Sequence, residues 1–348
     1  MNPALASDRN INSLNHPYLS LIIISWNSGK HLPRCLESLS RQTFRDFETI
    51  IVDNGSTDNS INRLEEQFTH LNIQVERLMR NLGFSAANNI GARIARGKWL
   101  VLLNADAFPK PSWLAELVTA SESNPAFTSF SSRQLQAGNP GILDGAGDAY
   151  HVSGMAWRIG LGYPSDTYGR EPAEIFSPCA AAAMYLREAF LEVGGFDEDF
   201  FSYFEDVDLG FRLQLSGYRC LYVPQAEVEH IGSSTFGERS DFAFYHSHRN
   251  LVWTYVKNMP SKLLWLHLPE HIAANLIYVF YYALRGRGKV LMKAKLDALT
   301  GLTKALGKRK EIQRKRKLSS QEIIRRMERG WSKPYLLGYC LRRVQKSN

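Results

Sequence analysis

Short apolar runs and stretches of helical spacing alternate along the N-terminal part of the chain. Residues 19–25 form an apolar run of strand length, followed by a turn at Trp26-Asn27-Ser28-Gly29 and a segment, 31–41, whose Leu32, Cys35, Leu36 and Leu39 fall on one helical face. Residues 47–52 predict a second strand ending in Asp53-Asn54-Gly55-Ser56-Thr57-Asp58, and 61–68 a second helix. A strand at 73–78, a helix at 85–96 and the strand at 99–103 continue the pattern. This β-α-β-α order predicts an α/β fold with a mostly parallel sheet flanked by helices.

Further along, 109–122 reads as helix, 129–143 as strand and loop, 180–185 as a buried strand and 187–193 as a short helix ended by Gly194-Gly195. Two glycine-rich stretches, 144–148 and 160–174, have the composition of mobile active-site loops. Residues 209–216 predict a helix closed by Gly217, with a strand at 218–223. Beyond about residue 240 the character changes to aromatic-rich helices at 245–257 and 263–284. His267, Glu270, His271 and Asn275 interrupt the second of these, and a membrane span needs about 20 predominantly apolar residues. An interfacial or re-entrant helix and a core or homo-oligomer helix both fit it.

A chain of 348 residues, 44% hydrophobic and 22% charged, can bury a full core. The formal net charge of +8 is concentrated late, at Lys308-Arg309-Lys310, Arg314-Lys315-Arg316-Lys317, Arg325-Arg326 and Arg342-Arg343. Basic residues beside apolar helices suit an anionic lipid surface better than a nucleic-acid groove. Cys35, Cys179, Cys220 and Cys340 form no CxxC pair, which argues against a zinc site or disulfide framework and for a reducing, cytoplasmic setting. Residues 1–17 are polar without an apolar h-region and read as a flexible leader.

Two acidic clusters carry the chemistry. Asn104-Ala105-Asp106 follows the apolar run at 99–103, so Asp106 emerges at the carboxyl end of a central strand, where open α/β sheets bind ligands. Glu205-Asp206-Val207-Asp208 lies among Phe200, Phe201, Tyr203 and Phe204, and acids beside that much apolar surface are costly unless paired, solvated or bound to a cation. Taken singly, Asp53-Asn54-Gly55 is an ordinary turn, Asn104-Ala105-Asp106 a strand exit and His230 a structural histidine.

The ordered series is more specific than its parts. Ile23-Ile24-Ser25-Trp26-Asn27, Ile51 to Asp58, Asn81-Leu82-Gly83-Phe84, Asn89-Ile90-Gly91, Leu102 to Ala107, Gly194 to Glu198, Glu205 to Gly210 and His230 resemble, over roughly residues 18 to 260, the GT-A family 2 glycosyltransferases, in particular bacterial rhamnosyltransferase-like enzymes. The resemblance implies a Rossmann-like GT-A domain at 18–258, with a nucleotide-sugar half at 18–108 and an acceptor half at 109–258. A basic, amphipathic helical region would follow at 259–348. It implies inverting, metal-dependent transfer of a sugar from a dTDP- or UDP-linked donor to a glycan or lipid-linked acceptor, at the cytoplasmic face of the inner membrane. In this reading Asp106 and His230 hold Mg²⁺ or Mn²⁺, and Asp206 is the catalytic base. Ser25, Trp26, Asn27, Asp53, Asn81, Gly83, Asn89, Asn104 and Arg249 bind the donor, with Glu205 and Tyr203 on the acceptor. Asn104 stands where the family usually has the first aspartate of Asp-x-Asp, which leaves Asp106 as the main oxygen ligand.

A nicotinamide or flavin oxidoreductase is the alternative on such a sheet. It lacks G-x-G-x-x-G after the first strand, where Trp26-Asn27-Ser28-Gly29 stands instead. A nucleic-acid-binding scaffold would leave the acidic pair unexplained.

Overall fold

The computed structural model describes residues 16–232 and 240–330, so most of the leader, Cys340 and Arg342-Arg343 lie outside the described residues. Strands β1 (Leu19–Ser25), β2 (Phe47–Asp53), β3 (Ile73–Arg77) and β4 (Trp99–Asn104) pair in parallel in the order β4-β1-β2-β3. Helices α1 (Leu32–Ser40), α2 (Leu64–Gln67) and α3 (Phe84–Ile94) make the crossovers. The predicted helix at 61–68 shrinks to α2, because Arg63 takes a left-handed backbone and the Asn62 amide bonds the Asn59 side chain in a turn.

The sheet is buried on both faces. Leu19, Leu21 and Ile23 pack with α1 and with α4 (Trp113–Ser123), whereas Ile22, one residue out of phase, packs with α3, α5 (Arg187–Glu192) and α6 (Glu205–Leu215). Such continuous apolar runs are what a two-sided sheet requires.

The second half of the sheet is mixed. β5 (Ala107–Pro109) leads out of β4, and β6 (Ser129–Gln136) and β7 (Asn139–Gly145) form a hairpin. β8 (Asp148–Tyr150) pairs with β9 (Ala156–Arg158) in a separate ribbon. β10 (Ala173–Ile175) forms one edge of the ten-stranded sheet, and β11 (Ala182–Leu186) runs antiparallel between β4 and β6. The strand predicted at 218–223 is longer. As β12 (Cys220–His230) it passes through a bulge between Val223 and Glu227, and Pro224 and Gln225 in that stretch hid its second part. The 160–174 stretch is tied down at Ser165, Tyr168 and Gly169 by the Arg133 guanidinium.

Four further helices carry the expected C-terminal pattern: α7 (Asp241–Asn258), α8 (Ser261–Ala283), α9 (Gly288–Thr300) and α10 (Leu302–Lys315), followed by the short α11 (Ser320–Arg325). Ser240 caps α7 by accepting from the Ala243 amide, 3.1 Å away. A third core, with Tyr150, Val207, Phe211, Tyr255, Leu263 and Ile323, joins these helices to α6.

A buried ionic knot fixes the same junction. Asp208 accepts from Arg212 Nε at 2.9 Å and Asn258 Nδ2 at 2.7 Å, and Lys257 Nζ lies 2.8 Å from its Oδ1. Lys257 also pairs with Asp197, which Lys308 of α10 reaches as well. Burial pushes the Asp197 carboxyl upward, but Lys257 and Lys308 outweigh it and hold the group well below the usual carboxylate range. Its stabilisation is therefore full above about pH 4 and is lost as pH falls toward the depressed folded-state value. Asp197→Asn should cost about 3 kcal/mol at neutral pH and flatten the acid limb of the stability curve, as read by urea unfolding at several pH values.

Candidate active site

The carboxyl ends of β1 and β4, the turn before α3, the β7–β8 connection, β9 and the start of α6 enclose a cavity of about 800 Å³. Register explains how the wall around His230 forms. β5 pairs antiparallel with β12 so that Ala107 faces His230, and the Ile231 amide bonds the Asp106 carbonyl at 3.1 Å. β12 also pairs with β6, and β6 with β7, which brings Asp144 to the other side of the imidazole.

A polar chain results. His230 Nδ1 lies 2.8 Å from Asp144 Oδ2, while His230 Nε2 lies 3.4 Å from both Asp106 Oδ1 and Asn104 Nδ2. Arg158 completes it, with NH1 2.9 Å from Asp144 Oδ2. Burial pushes the imidazole down, but its hydrogen bonds to Asp106 and Asp144 prevail and raise its pKa to about 9. Asp144 is held low, because Arg158 and His230 outweigh its burial.

The opposite chemistry gathers at the start of α6. Asp206 accepts from the Val207 amide at 2.9 Å and the Ala180 amide at 3.2 Å. Burial raises its pKa, against the pull of the Ala180 amide and Arg158. Glu205 and Asp148 are pushed well above the usual carboxylate range, first by burial and then by the Asp206 charge. Glu205 Oε2 is buried with no hydrogen-bond partner. The helix N-terminus tempers this concentration of negative charge.

The loop before α6 is strained. Phe201, Tyr203 and Phe204 all have positive φ, at 65°, 69° and 68°, a conformation that costs of order 1–3 kcal/mol per residue. Asn250 of α7 clamps it, donating through Nδ2 to the carbonyls of Phe200, Ser202 and Tyr203 at 3.1, 3.0 and 2.7 Å. Gly83 is needed opposite: its φ is +87°, and a Cβ there would sit 2.5 Å from the Phe201 carbonyl oxygen.

Of the residues singled out in the sequence, Trp26, Asn27, Asn81, Gly83, Asn104, Asp106, Tyr203, Glu205, Asp206 and His230 line this cavity. Ser25, Asp53, Asn89 and Arg249 do not. Ser25 is buried at the end of β1, and Asp53 is buried under its own turn, accepting from the Ser56 amide at 3.0 Å. Asn89 braces α3 against the segment after α5 by exchanging hydrogen bonds with the Phe196 backbone. Arg249 is spent on the Asp199 and Phe200 carbonyls, each at 3.0 Å, and stacks on Trp253.

Asp144, Asp148 and Arg158 were missed as individual residues. The glycine-rich 144–148 stretch pointed to the two aspartates, and a lone arginine in the apolar run Met155-Ala156-Trp157-Arg158-Ile159 was the remaining signal.

The donor set fits a divalent cation bound partly by substrate. Asp106 and His230 offer two donors on the cavity wall, and Mg²⁺ or Mn²⁺ takes few protein ligands while keeping water and phosphate oxygens. Among the described residues no group of three His, Cys, Asp or Glu side chains is arranged to hold a metal ion, so the remaining positions would fall to substrate and water.

This fold and site are those of a nucleotide-sugar enzyme, and the comparisons agree. The family model described as Glycosyl transferase family 2 matches residues 20–194, and the chain belongs to that family. It is 30% identical over 261 residues to N-acetylglucosaminyl-diphospho-decaprenol L-rhamnosyltransferase of Mycobacterium tuberculosis, covering 66% of this chain and 81% of that protein. Among solved structures, GalNAc-T7 with UDP, GalNAc and Mn²⁺ has a TM-score of 0.57 at 20% identity, covering 71% of this chain and 49% of that one. The mannosyltransferase PcManGT of Pyrobaculum calidifontis, with GDP-Man and Mn²⁺, has a TM-score of 0.52 at 17% identity, covering 90% and 86%. At these identities the structures share the GT-A fold. The protein is a glycosyltransferase, and the oxidoreductase alternative has no support among these likenesses.

The raised pKa of His230 has a measurable consequence in metal-free protein. Its contribution to stability is complete below about pH 6.5 and is lost as pH rises through about 9. Thermal melts of EDTA-treated protein should show a decline across that window that His230→Gln removes.

Proposed function

We propose that the protein is an inverting, metal-dependent glycosyltransferase that moves a sugar, with rhamnose the leading candidate, from a dTDP- or UDP-linked donor to a hydroxyl of a growing, lipid-linked surface glycan. The observation that carries this reading is one cavity lined both by the Asn104, Asp106 and His230 wall and by the buried Glu205-Asp206 pair. The mycobacterial relative, whose name specifies rhamnosyl transfer to a diphospho-decaprenol-linked acceptor, supports the choice of sugar and acceptor.

In this reading residues 18–108 supply the donor half, 109–258 the acceptor half and 259–348 the C-terminal helical region. Trp26, Asn27, Asn81 and Gly83 face the nucleotide, with Asn104 beside the diphosphate. Ser25, Asp53, Asn89 and Arg249, read from the sequence as donor-binding, lie off the cavity wall and would act on the donor only through neighbouring residues. Asp106 and His230 would hold Mg²⁺ or Mn²⁺, which would neutralise the charge of the diphosphate leaving group.

Asp206 takes the proton of the acceptor hydroxyl as its oxygen attacks the anomeric carbon, and the bond to the diphosphate breaks with its electron pair leaving on phosphate oxygen. A base whose pKa is raised by burial is better matched to this proton transfer than an exposed aspartate. Glu205 and Tyr203, both on the cavity wall, would face the acceptor. A lipid-linked acceptor puts the enzyme at the cytoplasmic face of the inner membrane, in peripheral contact with anionic lipid.

Asp206→Asn should lower transfer by about 10²–10⁴-fold while calorimetric donor affinity is retained; undiminished turnover would remove Asp206 as the base. Asp106→Ala should weaken donor binding in the presence of Mn²⁺ but barely change it in EDTA, and equal affinities under both conditions would count against the ligand role.

A further inference from the structure

The amphipathicity of α8 is directed outward as well as inward. Leu263, Leu264, His271 and Ala274 point into the molecule. The other side leaves Trp265, Leu266, Ile272, Leu276, Ile277 and Phe280 in solvent, Trp265 at 70% and Phe280 at 73% exposure. Met292, Leu296 and Leu299 of α9 widen the ridge. Soluble monomers rarely leave so large an apolar surface uncovered. At 23 residues α8 is about 35 Å long, yet no described helix is long and apolar enough to cross a membrane.

Charge indicates what covers the ridge. Lys262, Arg285, Lys289 and Lys293 are exposed on the same helical hairpin. Its acids are already engaged, Glu270 with His267 at 3.2 Å and Asp297 with the Tyr245 hydroxyl. A second copy laid on this ridge would set like charges against each other, whereas an anionic bilayer interface complements both the apolar strip and its cationic rim.

Position ties the ridge to the cavity. Tyr278 and Tyr282, on the inward side of α8, pack on His248 of α7, and Tyr282 also packs on Phe244. Phe244 and His248 line the cavity. One helix therefore separates the apolar ridge from the site.

We propose that the outer faces of α8 and α9 lie in the headgroup region of an anionic bilayer, so that the cavity receives the glycan head of an acceptor whose lipid stays in the membrane. The orientation of the acceptor rests on the function proposed above; the docking itself does not.

Flotation of the full chain with phosphatidylcholine vesicles, with and without phosphatidylglycerol, tests it in the absence of donor and acceptor. The chain should float with the phosphatidylglycerol vesicles and far less with pure phosphatidylcholine. Trp265→Ser/Phe280→Ser should reduce the bound fraction by roughly tenfold, and Lys289→Glu/Lys293→Glu should remove the preference for anionic lipid. Thermal melts check that each variant folds, and the charge-reversal pair decides the matter if the first does not. Failure of the wild-type chain to float, or variants that float like it, would overturn the proposal. A dimer in light scattering that Trp265→Ser/Phe280→Ser dissociates would assign the ridge to a second copy instead. Because lipid binding is read without turnover, a failed transfer assay would count against the proposed chemistry and leave the docking result standing.

Discussion

Arg158 lines the same cavity as Asp144, Asp148 and Asp206, and its partly buried guanidinium stays charged against desolvation because Cys179 and then these carboxylates favour its cationic form. Without a cation there, the acids gathered on these elements would be costlier still to ionise. The side chain lies flat over Gly145, where any Cβ would come within 2.3 Å of its Cδ. The glycine in the β7–β8 connection is thus a condition for placing the charge. Through Asp144 the same guanidinium orients His230, so one partly buried cation bears on both walls of the site.

The consequence is an asymmetric pair of acidic groups. Asp106 and the Asn104 amide both lie 3.4 Å from the His230 imidazole on one wall of the cavity. Asp206 sits beside other carboxylates in an apolar, aromatic setting that favours the proton. Two acidic groups on one cavity thus stand in different chemical surroundings.

The C-terminal helices contribute to the site as well as to the surface. α7 holds the strained Phe201–Phe204 backbone through Asn250 and anchors the preceding turn through Arg249, while Lys257 and Asn258 lock Asp208 of α6. Strain of this kind persists only where neighbouring structure over-determines it. Through α7, on which α8 packs, the C-terminal helices bear on the loop before α6, and the sequence offered no hint that Arg249 serves that loop.

What the sequence determined by itself was local and periodic. The apolar runs marked the central strands, helical spacing marked α1, α3 and α4, and the order of short motifs marked the family. These are legible because two-sided burial and strand-end placement leave a signature in neighbouring residues. Tertiary structure alone decided which side chains meet. The β5–β12 and β6–β7 registers bring Asp144 and Asp106 to opposite nitrogens of His230, and the β8–β9 ribbon delivers Arg158 to carboxylates far away in sequence. The same holds for the second half of β12, hidden by its bulge, and for α8, whose composition did not reveal which side packs inward and which stays exposed. Pairing across a sheet and burial against distant helices depend on long-range register, which no window of adjacent residues contains.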